Sequence, residues 1–443
     1  MSELSRRSFL NQSAGFVTAA ALASAAKLGL AAAGDPVNVA LIGPGGMGSA
    51  HLNLLAVRKD LRVKYVCDPD ANRAASAAKV VEQNGGSAKA VKDMREVFDD
   101  KSIEAVWIAT PDHWHCPAAI LAVEAGKHVY VEKPVSHNIR EGRLLLEAAR
   151  KHKKVVQVGT QSRSTPTVAR AMEIVKSGEI GEVLVAKAWN SQLRGSIGHQ
   201  QPSDPPAYLD YDLWLGPAPQ RPYQANLLPG IWRWWYEFGC GDIGNDGVHD
   251  IDVARWGLGV TGAPSTVAAL GSKFFFDDDQ QFPDTQYCVF EWDAPTGERR
   301  ASAPRGKRQL IFEQRDWSPY VQEGYENGAA FYGTKGMLVM GHTSGFKVFG
   351  PRNKPGETGS GSVDLPAHHQ NFLDCIRSGG RPNADIEEGH QSALLVHLAN
   401  IACRVQRTLH FDPASEQITG DEEANQLVRR QYREGHWAVP KGV

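Results

Sequence analysis

Three glycines, Gly43, Gly45 and Gly48, stand as GxGxxG directly after the apolar run "VNVALIG" and at the start of a helical pattern. In that setting the first glycine permits a tight turn and the second lets a pyrophosphate approach the backbone. The third lets helix and strand pack closely, with phosphate at the helix N-terminus. Gly46 and Met47 complete the loop. Asp68 ends the next strand, 25 residues after Gly43, where a carboxylate accepts both ribose hydroxyls and repels a 2'-phosphate. The pair predicts an NAD site and favours NAD over NADP.

The surrounding pattern supports that fold. The runs "VNVALIG", "VKYVCD", "AVWIAT", "HVYVEKP" and "VVQVGT" read as buried strands, with helical stretches such as "NIREGRLLLEAARKHK" between them. Such alternation predicts an α/β Rossmann domain, a doubly wound parallel sheet, over residues 34–160. From residue 161 to 443 the texture changes: "STVAALGSKFFF", "DTQYCVFEW", "KRQLIFEQ", "MLVMG" and "FKVFG" follow one another without long helices between them. This half reads as an α+β domain with a large open antiparallel sheet, two late helices and a polar tail. The segments "GHQQPSDPPAY" and "PRNKPGETGSGS" read as loops. A chain of 443 residues exceeds what one core usually supports, in agreement with two domains.

Ligands of open α/β sheets bind at the C-terminal rim of the strands. "EKP", Glu132 to Pro134, and "ATPDHWH", Ala109 to His115, both fall there. Thr110, Pro111, Glu132 and Lys133 are therefore candidate cofactor contacts. Lys133 can also exchange a proton, because a nearby oxidised nicotinamide lowers the proton affinity of its ammonium. His115 reads as a wall of the site or as a structural histidine. Gln161, in "GTQSRS", follows the last strand of this half and is a further cofactor candidate. In "IWRWWYEF" flat indoles such as Trp234 can stack on pyranose faces, or they can serve as core or interface.

The net charge of −2 supplies no basic excess for nucleic acid. Six cysteines without a CxxC pair argue against a zinc ribbon or a disulfide framework. Arg6 and Arg7, followed by Phe9 and Leu10, an Ala-rich stretch and Ala31 to Ala33, resemble a twin-arginine export signal over residues 1–33, cut before Gly34. An uncleaved anchor or an Ala-rich helix is the alternative. The signal predicts an exported, periplasmic protein that uses the twin-arginine translocase, which carries folded proteins and so allows a cofactor to be loaded beforehand.

These residues together resemble the glucose-fructose oxidoreductase, inositol dehydrogenase and rhizopine-catabolism (Gfo/Idh/MocA) family, from Val37 to about Arg404. The resemblance implies that Lys133 is catalytic. The family also has an Asp four residues before a His on a helix start lining the sugar pocket. Here "GCGDIGNDGVHDID" puts His249 at the histidine and Asn245 at the aspartate, with Asp246 beside it. Asn cannot exchange a proton, so acid/base duty is expected of His249 and Lys133, with Asn245 and Asp246 binding substrate. Asp252 is a candidate orienting carboxylate for His249, and Arg163 matches a family position near the pocket. A metal held by His249 with Asp246 or Asp250 lacks a second cluster at ligand spacing, so no metal site is expected.

Relatives pair through the open sheet, which implies a homodimer or homotetramer. The implied activity is NAD-dependent oxidation of a secondary hydroxyl of a sugar, polyol or glycoside, with a tightly held, recycled cofactor. The alternative is a redox-neutral glycoside hydrolase or lyase working through a transient keto-sugar.

Overall fold

The computed structural model describes residues 36–293, 306–342 and 345–443. The expected export signal lies outside them. Six strands form the first sheet: β1 (Val37–Ile42), β2 (Leu61–Cys67), β3 (Lys89–Val91), β4 (Ala105–Ile108), β5 (His128–Val131) and β6 (Val156–Val158). Their order is β3-β2-β1-β4-β5-β6, with every pairing parallel. This is the doubly wound order, which reverses between β1 and β4 and leaves a crevice there. The helices α1 (Met47–Ala56), α2 (Ala71–Gln83), α3 (Arg95–Asp99), α4 (Asp112–Glu124) and α5 (Ile139–His152) connect the strands. Helix α5 shows why these segments are helical. Asn138 caps it by accepting from the Glu141 amide, its apolar stripe buries Leu145 and Ala149, and basic residues Arg150 to His152 face the negative C-terminal end.

After α6 (Pro166–Ser177) the second sheet begins with β7 (Val183–Ser191). It continues through β8 (Thr266–Ser272), β9 (Thr285–Trp292), β10 (Arg308–Arg315), β11 (Asn327–Gly333), β12 (Met337–Gly341), β13 (Gly345–Gly350), β14 (Lys354–Gly359), β15 (Leu409–Asp412) and β16 (Gln417–Thr419). The ten strands run β14-β13-β12-β11-β7-β10-β9-β8-β15-β16. The large open sheet is as expected, antiparallel but for one parallel pairing among the described residues, that of β10 with β7. One expectation is corrected here. The polar run after Pro351, read as a loop, supplies the edge strand β14; an edge position tolerates its Pro355 and polar side chains.

One face of this sheet is covered by α8 (Val248–Leu258) and α10 (Ile386–Val405), after the short α7 (Tyr211–Leu215) and α9 (Leu365–Ser378) are counted in chain order. Ile251, Ala254, Phe312, Phe331, Leu394 and Leu398 form its core. Each of the buried Ile, Leu and Phe side chains contributes about 1.5–3 kcal/mol. Helix α9 instead returns to the first sheet, where Phe372 packs on Trp107 and Tyr130. The tail after α11 (Glu422–Gln426) does likewise. Arg430 pairs with buried Glu141 at 2.7 Å and donates to the His113 carbonyl at 2.8 Å, and the Tyr432 hydroxyl donates to Glu141 at 2.8 Å.

Candidate active site

A cleft of about 590 Å³ opens at the crevice of the parallel sheet. One end is lined by Gly43, Gly45, Gly46, Met47, Asp68, Thr110 and Pro111. Gly43 adopts φ +83°, and a Cβ there would lie 2.7 Å from the Ala109 carbonyl carbon. A Cβ on Gly48 would overlap the Gly43 carbonyl oxygen, so this position does not line the cleft but brings α1 against the turn. The α1 N-terminus has no side-chain cap, which leaves its amides and positive dipole for an anion. One oxygen of buried Asp68 accepts from the Asp70 amide at 2.8 Å, and the other takes no donor among the described residues. Burial pushes the Asp68 carboxyl up to about 6. The Thr110 hydroxyl is buried with no partner among the described residues. A dinucleotide fits this set: the turn admits a diphosphate, and Asp68 and Thr110 have unused bonding capacity.

The other end is lined by Lys133, His115, Asp112, Asn245, Arg233, Trp114, Trp214 and Trp232. Lys133 ends the β5 rim, and its Nζ donates to the Asn245 carbonyl oxygen. Behind it Glu132 accepts from His51 Nε2 at 3.0 Å and from Gln161 at 3.2 Å. Burial opposes the charge on Glu132, but the His51 hydrogen bond and the nearby cations bring its carboxyl down to about 2. Asn245 sits in a single π-helical turn, Ile243–Gly247, that runs into α8. Such a turn inserts one extra residue, and here it directs Asn245 toward Arg233 and Asp242. The Asn245 Oδ1 accepts from Arg233 Nε at 2.7 Å, and its Nδ2 donates to Asp242 at 2.9 Å.

His249 opens α8, with the His342 ring edge-on to it at 5.0 Å and 89°. His342 Nδ1 faces both Asp250 oxygens at 3.1 Å. Burial, then the positive Lys133 and the neighbouring His342, hold the His249 imidazole well below its ordinary range, so it is neutral near pH 7. Asp246 is claimed by Arg194 and by Gln192 at 3.1 Å. Burial opposes its charge, yet Arg194 and Lys133 keep its carboxyl below the usual range.

Of the expected residues, the cleft gathers Gly43, Gly45, Gly46, Met47, Asp68, Thr110, Pro111, His115, Glu132, Lys133 and Asn245. His249 and Asp246 stand at its margin, within electrostatic reach of Lys133. His115 lines the cleft, and both its ring nitrogens face backbone carbonyls, of Pro134 at 2.7 Å and Thr110 at 2.9 Å, which also ties it into the structure. Four expectations are corrected. Arg163 is buried in a bidentate pair with Asp252 at 2.8 and 2.9 Å, and does not line the cleft. Asp252 therefore does not orient His249; the carboxylate near that site is Asp250, through His342. Trp234 is buried away from the cleft, and Trp232 takes the place expected of it. Gln161 lies beneath Glu132 and supports it from behind. Sequence reasoning passed over Arg233, Arg194, Asp112, His51 and His342. Arg233 has a local signal as the one charge inside the Trp run, and Asp112 has one in its place within the rim segment "ATPDHWH".

Asp68 also carries a pH prediction. A carboxyl raised to about 6 from 3.8 binds its proton more tightly in the folded chain. Its contribution to stability is therefore fully present below pH 3.8 and lost as pH rises through about 6. Asp68→Asn keeps the acceptor for the Asp70 amide and removes the buried charge. The cofactor-free variant should gain about 1–3 kcal/mol at pH 7, and NADH binding should weaken by about 1–3 kcal/mol. Urea unfolding across pH 4–8 and fluorescence titration measure the two effects, and a variant less stable at pH 7 would contradict the account.

Residues 37–160 match the Gfo/Idh/MocA oxidoreductase family, NAD-binding Rossmann fold, and residues 167–285 and 326–439 match its C-terminal alpha/beta domain. Levoglucosan dehydrogenase of Pseudarthrobacter phenanthrenivorans is 31% identical over 239 residues, 52% of this chain and 53% of that protein. Inositol 2-dehydrogenase 2 of Saccharopolyspora erythraea is 30% identical over 260 residues, 58% of this chain and 63% of that protein. The matched region thus spans roughly half to under two thirds of these relatives' length. A solved levoglucosan dehydrogenase in complex with NADH superposes with a TM-score of 0.64 at 22% identity, over 84% of this chain and 98% of that one, and shows the shared fold. With both domains matched in order, the chain belongs to the Gfo/Idh/MocA oxidoreductase family and carries its NAD-binding Rossmann domain.

Proposed function

We propose that this protein is an NAD-dependent dehydrogenase acting on a secondary hydroxyl of a sugar or polyol, and that it holds its cofactor tightly and recycles it. The observation that carries the reading is the continuity of one cleft from Gly43 and Asp68 to Lys133. NAD, when bound, supplies the two-electron chemistry. Lys133 stands at the far end of the cleft, where its ammonium can hold and exchange the proton of a substrate hydroxyl. His249, kept neutral, can accept a hydrogen bond from the same oxygen, and of its neighbours Asp246 and Glu132 favour a positive charge on it while Lys133 and His342 oppose one. Trp214 and Trp232 contribute apolar surface to the cleft wall. The tail supports retention: Trp437 lines the cleft, packs on Trp114 at 5.7 Å and lies 4.6 Å beneath the Arg95 guanidinium. The two relatives are named for oxidising levoglucosan and inositol, in keeping with a ring alcohol.

Mass spectrometry of the denatured purified protein should release NAD. Incubation with a panel of sugars and polyols should then yield keto-sugar or lactone, with a second carbonyl compound as acceptor. Release of NADP alone, or no nicotinamide nucleotide binding at all, would remove the reading.

Export and assembly belong to the same proposal. The paired Arg6 and Arg7 support delivery by the twin-arginine route, whose receptor reads guanidinium geometry and not charge alone. Replacing both with Lys should leave folded protein in the cytoplasm, as cell fractionation would show; unchanged delivery means another route. Leu270 and Tyr287, paired across β8 and β9, are 74% and 48% exposed, which supports association of two or four copies through the open sheet.

A further inference from the structure

We infer that the substrate carries a carboxylate and that Arg233 recognises it, an inference that rests on the dehydrogenase reading of the cleft. Among the described residues Arg233 makes no ion pair, although it lines the cleft next to Asn245, on which Lys133 is anchored. The other guanidinium of this region, Arg194, is paired with Asp242 at 2.8 Å and with Asp246.

Arg233 is held on three sides. Its Nε donates to Asn245 Oδ1 at 2.7 Å, its Nη1 donates to the Gly230 carbonyl at 2.8 Å, and its plane lies 4.3 Å over the Trp232 ring. Nη2 has no protein acceptor among the described residues, and Nη1 keeps its second N–H. The guanidinium therefore keeps N–H donors on both Nη1 and Nη2, the pair of nitrogens that can bind a carboxylate bidentately.

The carboxyl groups nearby do not fill that role. Asp246 is committed to Arg194 and Gln192. Asp112 also lines the cleft, but burial pushes its carboxyl up toward the neutral form, and it makes no ion pair with Arg233. The guanidinium itself is disfavoured by burial. An immobilised, partly desolvated, unpaired guanidinium gains most from an anion that completes it. The anion could come from the substrate or from a cofactor phosphate. Arg233 abuts Asn245 at the Lys133 end, whereas the phosphate cradle is the Gly43 to Gly48 turn, so the geometry points to the substrate.

The test is calorimetric binding to NADH-loaded full-length protein, using matched pairs: D-glucuronate against D-glucose, and D-galacturonate against D-galactose. At least one hexuronate should bind about 10- to 100-fold more tightly than its hexose, the scale of a charged hydrogen-bonded pair. Arg233→Met keeps the stem over Trp232 and should bring that preference to within about 3-fold. Arg233→Lys, which keeps charge without the fork, should fall between, and it keeps the test open if the Met variant melts early.

Equal binding of acid and neutral sugar, binding of neither, or a preference that survives in Arg233→Met overturns the inference. So does a loss of NADH affinity in Arg233→Met equal to the loss for hexuronate, which assigns Arg233 to a phosphate. Failure of the wild-type protein to bind NADH removes the dehydrogenase reading instead. The hexuronate preference of the cofactor-free protein, and its loss in Arg233→Met, then decide whether Arg233 takes a carboxylate.

Discussion

Lys133→Met is expected to lower turnover by about 10³-fold, within the range for removing a positioned acid or base, while NADH affinity changes by less than about 3-fold. The asymmetry follows from placement. Among the described residues the Lys133 side chain makes one hydrogen bond, to the Asn245 carbonyl, and it stands at the end of the cleft opposite the phosphate turn and Asp68. Met preserves the length and apolar stem of Lys, so the variant should melt with the parent. Initial rates on whichever sugar or polyol the wild-type protein oxidises supply the first measurement, and fluorescence titration with NADH the second. A variant retaining most of its turnover would mean that neutral His249 handles the hydroxyl proton alone. Equal losses of turnover and NADH affinity would place Lys133 on the cofactor and not on the reacting oxygen.

The parts of the site that are legible in the sequence share one property: their geometry is set within a few residues. GxGxxG is a turn whose shape the glycines dictate, Asp68 directly follows the last residue of a strand, and EKP sits at a rim defined by its own strand. Arg233, Arg194 and His342 come from a 3₁₀ turn, from the segment after β7 and from the end of β12. They converge only because the second sheet folds behind α8, and long-range pairing leaves no local periodicity to read. Arg163 failed in the opposite direction. Its position near the rim was right, but nothing in the sequence indicates that Asp252, on another element, would claim it.

Asn245 is the instructive intermediate case. An Asn where the family has an Asp reads, from the sequence, as a loss of acid/base capacity. In the structure its amide joins a guanidinium on one side to a carboxylate on the other, accepting from Arg233 and donating to Asp242. An Asp could accept from Arg233, but it would set a second carboxylate against Asp242, and like charges at hydrogen-bonding distance disfavour each other's ionisation. The departure is thus fitted to its neighbours, and its backbone carbonyl still anchors Lys133.

The largest stability loss is expected at Asp252. Its carboxylate is 1% exposed and accepts from Arg163 at 2.8 and 2.9 Å and from the Ser392 hydroxyl at 2.6 Å, with Arg255 4.0 Å away. Two buried guanidinium groups thus share one buried carboxylate and the more exposed Glu388, tying α8 to α10 and to the turn after β6. Removing one partner of a buried pair leaves the other charge uncompensated, so Asp252→Ala should cost about 3–5 kcal/mol. Asp252→Asn preserves shape and an acceptor and should cost less, because only the charge is lost. Urea midpoints measured by fluorescence and by circular dichroism give the stability. Specific activity and NADH affinity under native conditions test the role. Because Asp252 and Arg163 bind each other away from the cleft, both variants should keep kcat/KM within about 3-fold once corrected for folded fraction, the behaviour of a structural pair distant from the reacting atoms. A variant of normal stability that has lost activity would return Arg163 to the substrate, where its sequence position first suggested it.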